Sequence, residues 1–132
     1  MTKIEPGITG TVEVCVTPQM TAVLEGREIH PVCSTFWLAY YAEVAARRAI
    51  EPHLGADDDA VGSIVEIRHQ RMAAVGCNLL VTATVANFRA SRVHCIVTVT
   101  AIKTNTLIAE GIQEQVVIRK EVLKNKIASA VK

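Results

Sequence analysis

The sequence predicts an α+β fold, with one long helix packed against an antiparallel sheet of about five strands. Three observations carry this. The stretch Val32 to Pro52 is the one long segment with helical periodicity. From Val61 onward the apolar pattern switches to period two. The segments that follow are joined by connections too short for a parallel crossover, so neighbouring strands run antiparallel.

The helix is delimited by chemistry at both ends. The hydroxyl of Ser34 can accept a hydrogen bond from a free N–H of the first turn. Pro52 lacks an N–H and turns the residue before it away from helical angles. At about 100° per residue, Leu38, Ala39, Ala42, Ala45, Ala46, Ala49 and Ile50 form one apolar stripe, and its alanines allow close approach to another layer. Arg47, Arg48 and Glu51 fall opposite. Thr35 and Glu43 fall on the apolar side, and a hydroxyl and a carboxylate there point to chemistry.

Before the helix, Thr11 to Val16 alternates as a short strand, and Thr17 to Pro31 reads as an irregular segment of the kind that forms a lid. After it, His53 to Ala60 reads as a solvated loop, because its three aspartates lack the spacing and closing glutamate of a calcium loop. Strict alternation then puts Val61, Ser63, Val65, Ile67 and His69 on one face of a strand and Gly62, Ile64, Glu66, Arg68 and Gln70 on the other. Further strands are expected at Leu79 to Phe88, Val93 to Lys103 and Thr106 to Arg119. A long helix wrapped by such a sheet is the shape called a hotdog. The helix covers one face only, so a second subunit is expected to shield more, as a homodimer or a dimer of dimers.

Length and composition bound the rest. With 132 residues, half of them hydrophobic, the chain reads as a single domain with a core at about 8–120 and a basic tail at 121–132. A net charge of +1 gives no long-range attraction for nucleic acid or an anionic membrane. The four cysteines are widely spaced, so neither a zinc site nor any other metal site is signalled. No secretory leader or apolar run of membrane-spanning length is read, which fits a reducing cytoplasm.

The residues at the helix start, Val32-Cys-Ser-Thr-Phe, are followed by Glu43 eight positions after Thr35, by Gly62, and by His69 seven positions after the glycine. With Gly111-Ile-Gln-Glu-Gln-Val-Val-Ile and Lys124-Asn-Lys, this order resembles the fluoroacetyl-CoA thioesterase-like hotdog proteins, from about residue 8 to residue 127. The resemblance implies a homodimer that hydrolyses an acyl-CoA thioester without a separate cofactor, CoA being part of the substrate. It puts Thr35, Glu43 and His69 in the catalytic positions, with Gly62, Ser34 and Phe36 against the substrate. Two segments depart from the family: Gln70 to Gly76 lacks its proline-containing turn, and Gln19 to His30 lacks the phenylalanine of the fluoroacetyl-specific lid. Fluoroacetyl-CoA is therefore not the preferred substrate expected.

The chemistry asks for the same residue types. Hydrolysis of a thioester needs a nucleophile or base, a proton carrier and donors for the developing oxyanion. Glu43, with reduced hydration in an apolar stripe, can activate water or attack directly. His69 is of the type that passes protons near neutral pH, and Thr35 can hold the carbonyl, relay a proton or orient Glu43. Each has a plainer reading alone: a first-turn threonine, an ion-paired glutamate, a satisfied core histidine. Cys33 reads as a buried structural thiol. The rival function is a non-catalytic hotdog module that binds acyl-CoA or another small ligand. A hydratase acting on enoyl-CoA lacks its Asp and His arrangement here.

Overall fold

The computed structural model describes residues 3–132, and Met1 and Thr2 lie outside the described residues. Strand β1 (Thr9–Cys15) is followed by a hairpin of β2 (Thr21–Leu24) and β3 (Arg27–Cys33). Helix α1 (Thr35–Ile50) comes next, then β4 (Asp58–His69), β5 (Asn78–Arg89), β6 (Arg92–Ala101), β7 (Thr106–Arg119) and helix α2 (Lys120–Ala128). The five long strands form one antiparallel sheet in the order β1-β5-β6-β7-β4.

Two stretches differ from the sequence reading. The segment Thr17 to Pro31 is mostly a two-stranded hairpin, not irregular chain. Its turn residues Glu25 and Gly26 both take positive φ (51° and 74°), the backbone twist that lets two strands reverse over two residues. His30 accordingly sits on β3 and not in a loop. The basic tail is largely helical, although none of α2 is buried.

Helix α1 lies across the sheet because its stripe is small. Leu38, Ala42, Ala45, Ala46, Ala49 and Ile50 are its buried residues, and they meet Val12, Val14, Leu79, Val81, Val97 and Val99 in one core. The Ser34 hydroxyl caps its start by accepting from the Phe36 N–H at 3.1 Å. Pro52 ends the α-helix, and Glu51–His53 closes as a single 3₁₀ turn. Arg47 then ties the helix to the following strand. It donates to Glu51 Oε2 (2.6 Å), to Asp59 Oδ1 (2.9 Å) and to the Ala60 carbonyl (2.8 Å). Asp59 therefore belongs to an ion pair and is not a merely solvated loop residue. The Ala60 N–H and the Arg47 guanidinium hold its carboxyl below the usual carboxylate range.

Contact between α1 and β1 is closest at Gly10, where an added Cβ would collide with the backbone of Ala45 and Ala49. Backbone cannot swing aside as a flexible side chain can. Gly10→Ala is therefore expected to destabilise the fold by about 3 kcal/mol, the upper part of the range for overpacking. A fall in the urea midpoint with an unchanged slope checks this, and an unshifted midpoint contradicts it.

Candidate active site

The site is built on β4, and an irregularity in that strand decides which residues share a face. Gly62 pairs with Gln115 and Ile64 pairs with Glu114, so Ser63 is an extra residue opposite no partner. The bulge reverses the alternation beyond it. Ala60 and Gly62 thus share the inner face with Val65, Ile67 and His69, opposite Val117, Gln115, Gln113, Gly111 and Ala109 of β7. Strict period two put Gly62 and His69 on opposite faces, and the bulge corrects that. Ser63 also fastens it, donating to Glu114 Oε2 at 2.7 Å, while Arg92 donates to the same oxygen at 2.9 Å.

His69 and Thr35 meet at this inner face, with Thr35 Oγ1 2.8 Å from His69 Nδ1. His69 Nε2 is buried and has no hydrogen-bond partner among the described residues. The histidine is thus held through one ring nitrogen, while the other is buried without a partner among the described residues.

Glu43 lies over Gly62. A Cβ on Gly62 would stand 2.8 Å from Glu43 Oε1, so only glycine leaves the carboxylate where it is. Glu43 is exposed in the single chain and does not face the core, which corrects the reading of it as desolvated by the apolar stripe. The helix-face argument assumed a core all round that side, but the sheet stops at β4 and leaves Glu43 at its margin. Two half-sites result: Thr35 with His69, and Glu43 with Gly62. Eight residues of helix separate Thr35 from Glu43, about 12 Å at the α-helical rise of 1.5 Å per residue.

A cavity of about 620 Å³ opens beside Glu43. Phe36, Ala39, Tyr40 and Val44 of α1 wall it with Gly62 and Val65 of β4 and Gln115 of β7, and Arg47 and Arg48 stand at one end. Phe36 is thus on the cavity, as its place next to Thr35 suggested, and is 69% exposed. Ser34 is not on that wall, and its oxygen caps the helix. Tyr40, Val65 and Gln115 were not singled out from sequence. The signal for Gln115 was present, because Gly111, Gln113, Gln115 and Val117 share one face of an alternating strand. Burial pushes the Cys33 thiol up to about 11, aided by the nearby Cys77, so it stays protonated and is no nucleophile.

The family model for the fluoroacetyl-CoA-specific thioesterase FlK matches residues 16–121. The chain belongs to the fluoroacetyl-CoA-specific thioesterase family. It is a thioester hydrolase with a hotdog fold. A hypothetical protein of Thermus thermophilus, a thioesterase superfamily member, is 32% identical over 98% of this chain and 94% of its own, with a TM-score of 0.92. The fluoroacetyl-CoA thioesterase FlK itself shares the fold at a TM-score of 0.85 and 22% identity, over 99% of this chain and 100% of its own. A 1,4-dihydroxy-2-naphthoyl-CoA thioesterase of Synechocystis shares it at 0.69 and 20%, over 85% and 83%. No curated protein sequence matches the chain. Within the family, this chain's β2–β3 hairpin exposes Val23, Leu24 and Ile29, and residues 19–30 hold no phenylalanine.

The anchor of the bulge gives a pH-dependent prediction. Hydrogen bonding from Ser63, then from Arg92, holds the Glu114 carboxyl below its ordinary value of 4.5. A lowered folded-state value means that this stabilisation is present above the unfolded value and is lost as pH falls through the folded one. Glu114→Gln should therefore be less stable than the parent at pH 7, with the gap narrowing as pH falls below 4.5. Urea titrations across that range check it, and a gap that stays constant down to pH 3 contradicts it.

Proposed function

We propose that this thioester hydrolase cleaves a small or medium acyl-CoA to free acid and CoA, using Glu43, His69 and Thr35. The observation that supports this most is the pairing of Thr35 Oγ1 with His69 Nδ1 at 2.8 Å on the face that also carries Gly62 under the Glu43 carboxylate. Each group has a task in thioester hydrolysis, with the Glu43 half-site of one protomer completed by the Thr35–His69 half-site of its partner, since within one chain the two stand about 12 Å apart. Glu43 either removes a proton from the attacking water or attacks the carbonyl itself, and the Gly62 backbone lies where the acyl group enters. His69, oriented by Thr35, gives its proton to the CoA sulfur as the C–S bond breaks. On the base route it is reloaded with the proton that Glu43 took from water, and on the direct route water then cleaves the anhydride formed with Glu43. CoA is part of the substrate, and no separate cofactor enters the scheme.

We also propose that the working unit is a homodimer. Strand β4 is 12 residues long and forms one edge of the sheet, with its far side unpaired among the described residues. A long open edge invites a second chain. Val65 beside it and Phe36 and Tyr40 of α1 are exposed apolar side chains at the same margin. Light scattering is expected to give twice the 14.3 kDa chain mass. Among the described residues no helix is long and apolar enough to cross a membrane.

Release of CoA thiol from a panel of acyl-CoAs tests the chemistry. Glu43→Gln should lower kcat about 10²–10⁴-fold with little change in KM, the usual worth of acid–base assistance. His69→Ala should also lower kcat, while Thr35→Ser should keep far more activity than Thr35→Val. With no phenylalanine in its hairpin, the enzyme should not prefer fluoroacetyl-CoA over acetyl- and propionyl-CoA. Folded Glu43→Gln and His69→Ala proteins that turn over at the parental rate would remove these residues from the mechanism. Acyl-CoA binding without any hydrolysis by the parent would favour a binding module.

A further inference from the structure

Two buried glutamines on β7 bear on the identity of the acyl group, an inference that rests on the thioesterase reading above. Gln113 is wholly buried and Gln115 is 3% exposed. Neither Gln113 Oε1, nor Gln113 Nε2, nor Gln115 Nε2 has a hydrogen-bond partner among the described residues. Buried amides are ordinarily paired, because an unmade bond leaves the cost of desolvation uncompensated. Since both terminal atoms of Gln113 lack partners, turning its amide over changes nothing.

Their location gives them a use. Gln115 stands directly across from Gly62, and Gln113 directly across from Val65. Gln113 Nε2 is 3.4 Å from the point where a Cβ on Gly62 would stand, and Glu43 Oε1 is 2.8 Å from the same point. Gln115 lines the cavity itself, whose other inner walls are mostly apolar, from Val44, Val65 and Phe36. Next to the carboxylate, Gln115 on the wall and Gln113 behind Gly62 thus hold two amide donors and one acceptor that the chain leaves unused.

We infer that the acyl group carries a hydroxyl on the first or second carbon beyond the thioester carbonyl, and that Gln113 and Gln115 select for it. The position follows from proximity, since the Gln113 amide adjoins the carboxylate that addresses the carbonyl. The group follows from chemistry, since a hydroxyl can accept from Nε2 and donate to Oε1 at once. A methyl group of the same size would leave these amide atoms unpaired, and sites built to hydrogen-bond a substrate hydroxyl reject the analogue that lacks it.

The test uses isosteric pairs on the full-length protein: 3-hydroxybutyryl-CoA against 3-methylbutyryl-CoA, and 2-hydroxypropionyl-CoA against 2-methylpropionyl-CoA. In at least one pair, kcat/KM should favour the hydroxyl about 10²-fold, within the range such sites reach. In the Gln113→Leu, Gln115→Leu double variant that preference, read as the ratio of kcat/KM within each pair whatever its absolute level, should vanish. Equal use of both members of each pair by the parent overturns the inference. So does an equal loss on both members in the double variant, which would mean that the glutamines act on the carbonyl or on folding. Calorimetric binding of the matching non-hydrolysable thioethers to the parent needs no variant and no turnover. Preferential binding of the hydroxylated thioether without hydrolysis of any thioester would sink the thioesterase reading and leave this one standing. Hydrolysis with no preference in either assay does the reverse.

Discussion

The site depends on one extra residue in one strand. Ser63 adds a position to β4 that β7 does not match, and its hydroxyl is bonded to Glu114. If Ser63 were paired like its neighbours instead of bulged, the seven-position interval from Gly62 to His69 would put them on opposite sides of the sheet, one facing α1 and the other facing away. With the bulge, glycine and histidine face the helix together. Glu43 can then lie over the first, and Thr35 can bond the second. The bulge is held from the outer face by a carboxylate that also accepts from Arg92 on β6. Strand geometry at the sheet margin is thereby tied to its interior, where the register is set by fully buried pairs such as Val97 with Gly111.

Position across the sheet is set by a second constraint, the closeness of α1. Gly10 admits the backbone of Ala45 and Ala49 on one side, and Arg47 clamps the other side to Asp59 and Ala60. A helix held by backbone contact at one flank and by a forked cation at the other has little freedom to roll. That matters because Glu43 and Thr35 ride on it. A roll of α1 would move the carboxylate off Gly62 and stretch the bond to His69 at once, and displacements near 1 Å can cost about 10²-fold in rate.

Much of this was legible in the residues. Ser34 and Pro52 bounded the helix, and the alternation of Val61 onward, Leu79 onward and Val93 onward marked the strands, because caps and periodicity report local geometry directly. What escaped detection was non-local. The bulge at Ser63 is invisible to a rule of strict alternation, since a bulge is defined by the partner strand. The β2–β3 hairpin was hidden by Pro18 and Pro31, which sit just outside or late in its strands, where a missing N–H does little harm. Glu43 looked core-facing because helical periodicity gives a direction but not the edge of the sheet in that direction. The α2 helix was masked by its lysines, which are tolerated in a helix that buries nothing. Gln113 and Gln115 carried a signal that passed unused: polar residues in phase with buried ones.

These residues invert the usual sorting of polar groups, and the inversion is informative. A carboxylate stands exposed at the mouth of the cavity, while two neutral amides are buried behind it. If stability alone shaped β7, its inner face would be aliphatic throughout, as it is on β5 and β6 at Val81, Val85, Val97 and Val99. The outer face of the same stretch shows what a stabilising polar residue looks like: Glu114, between the two glutamines, has both Ser63 and Arg92 as partners. Alternation along one strand thus separates two roles, with the middle residue holding the backbone in place and its two neighbours left with unpaired amide atoms, Gln115 on the cavity wall and Gln113 behind Gly62. Unpaired amides survive selection where something outside the chain pairs them, and the cavity beside Gly62 is where that something enters.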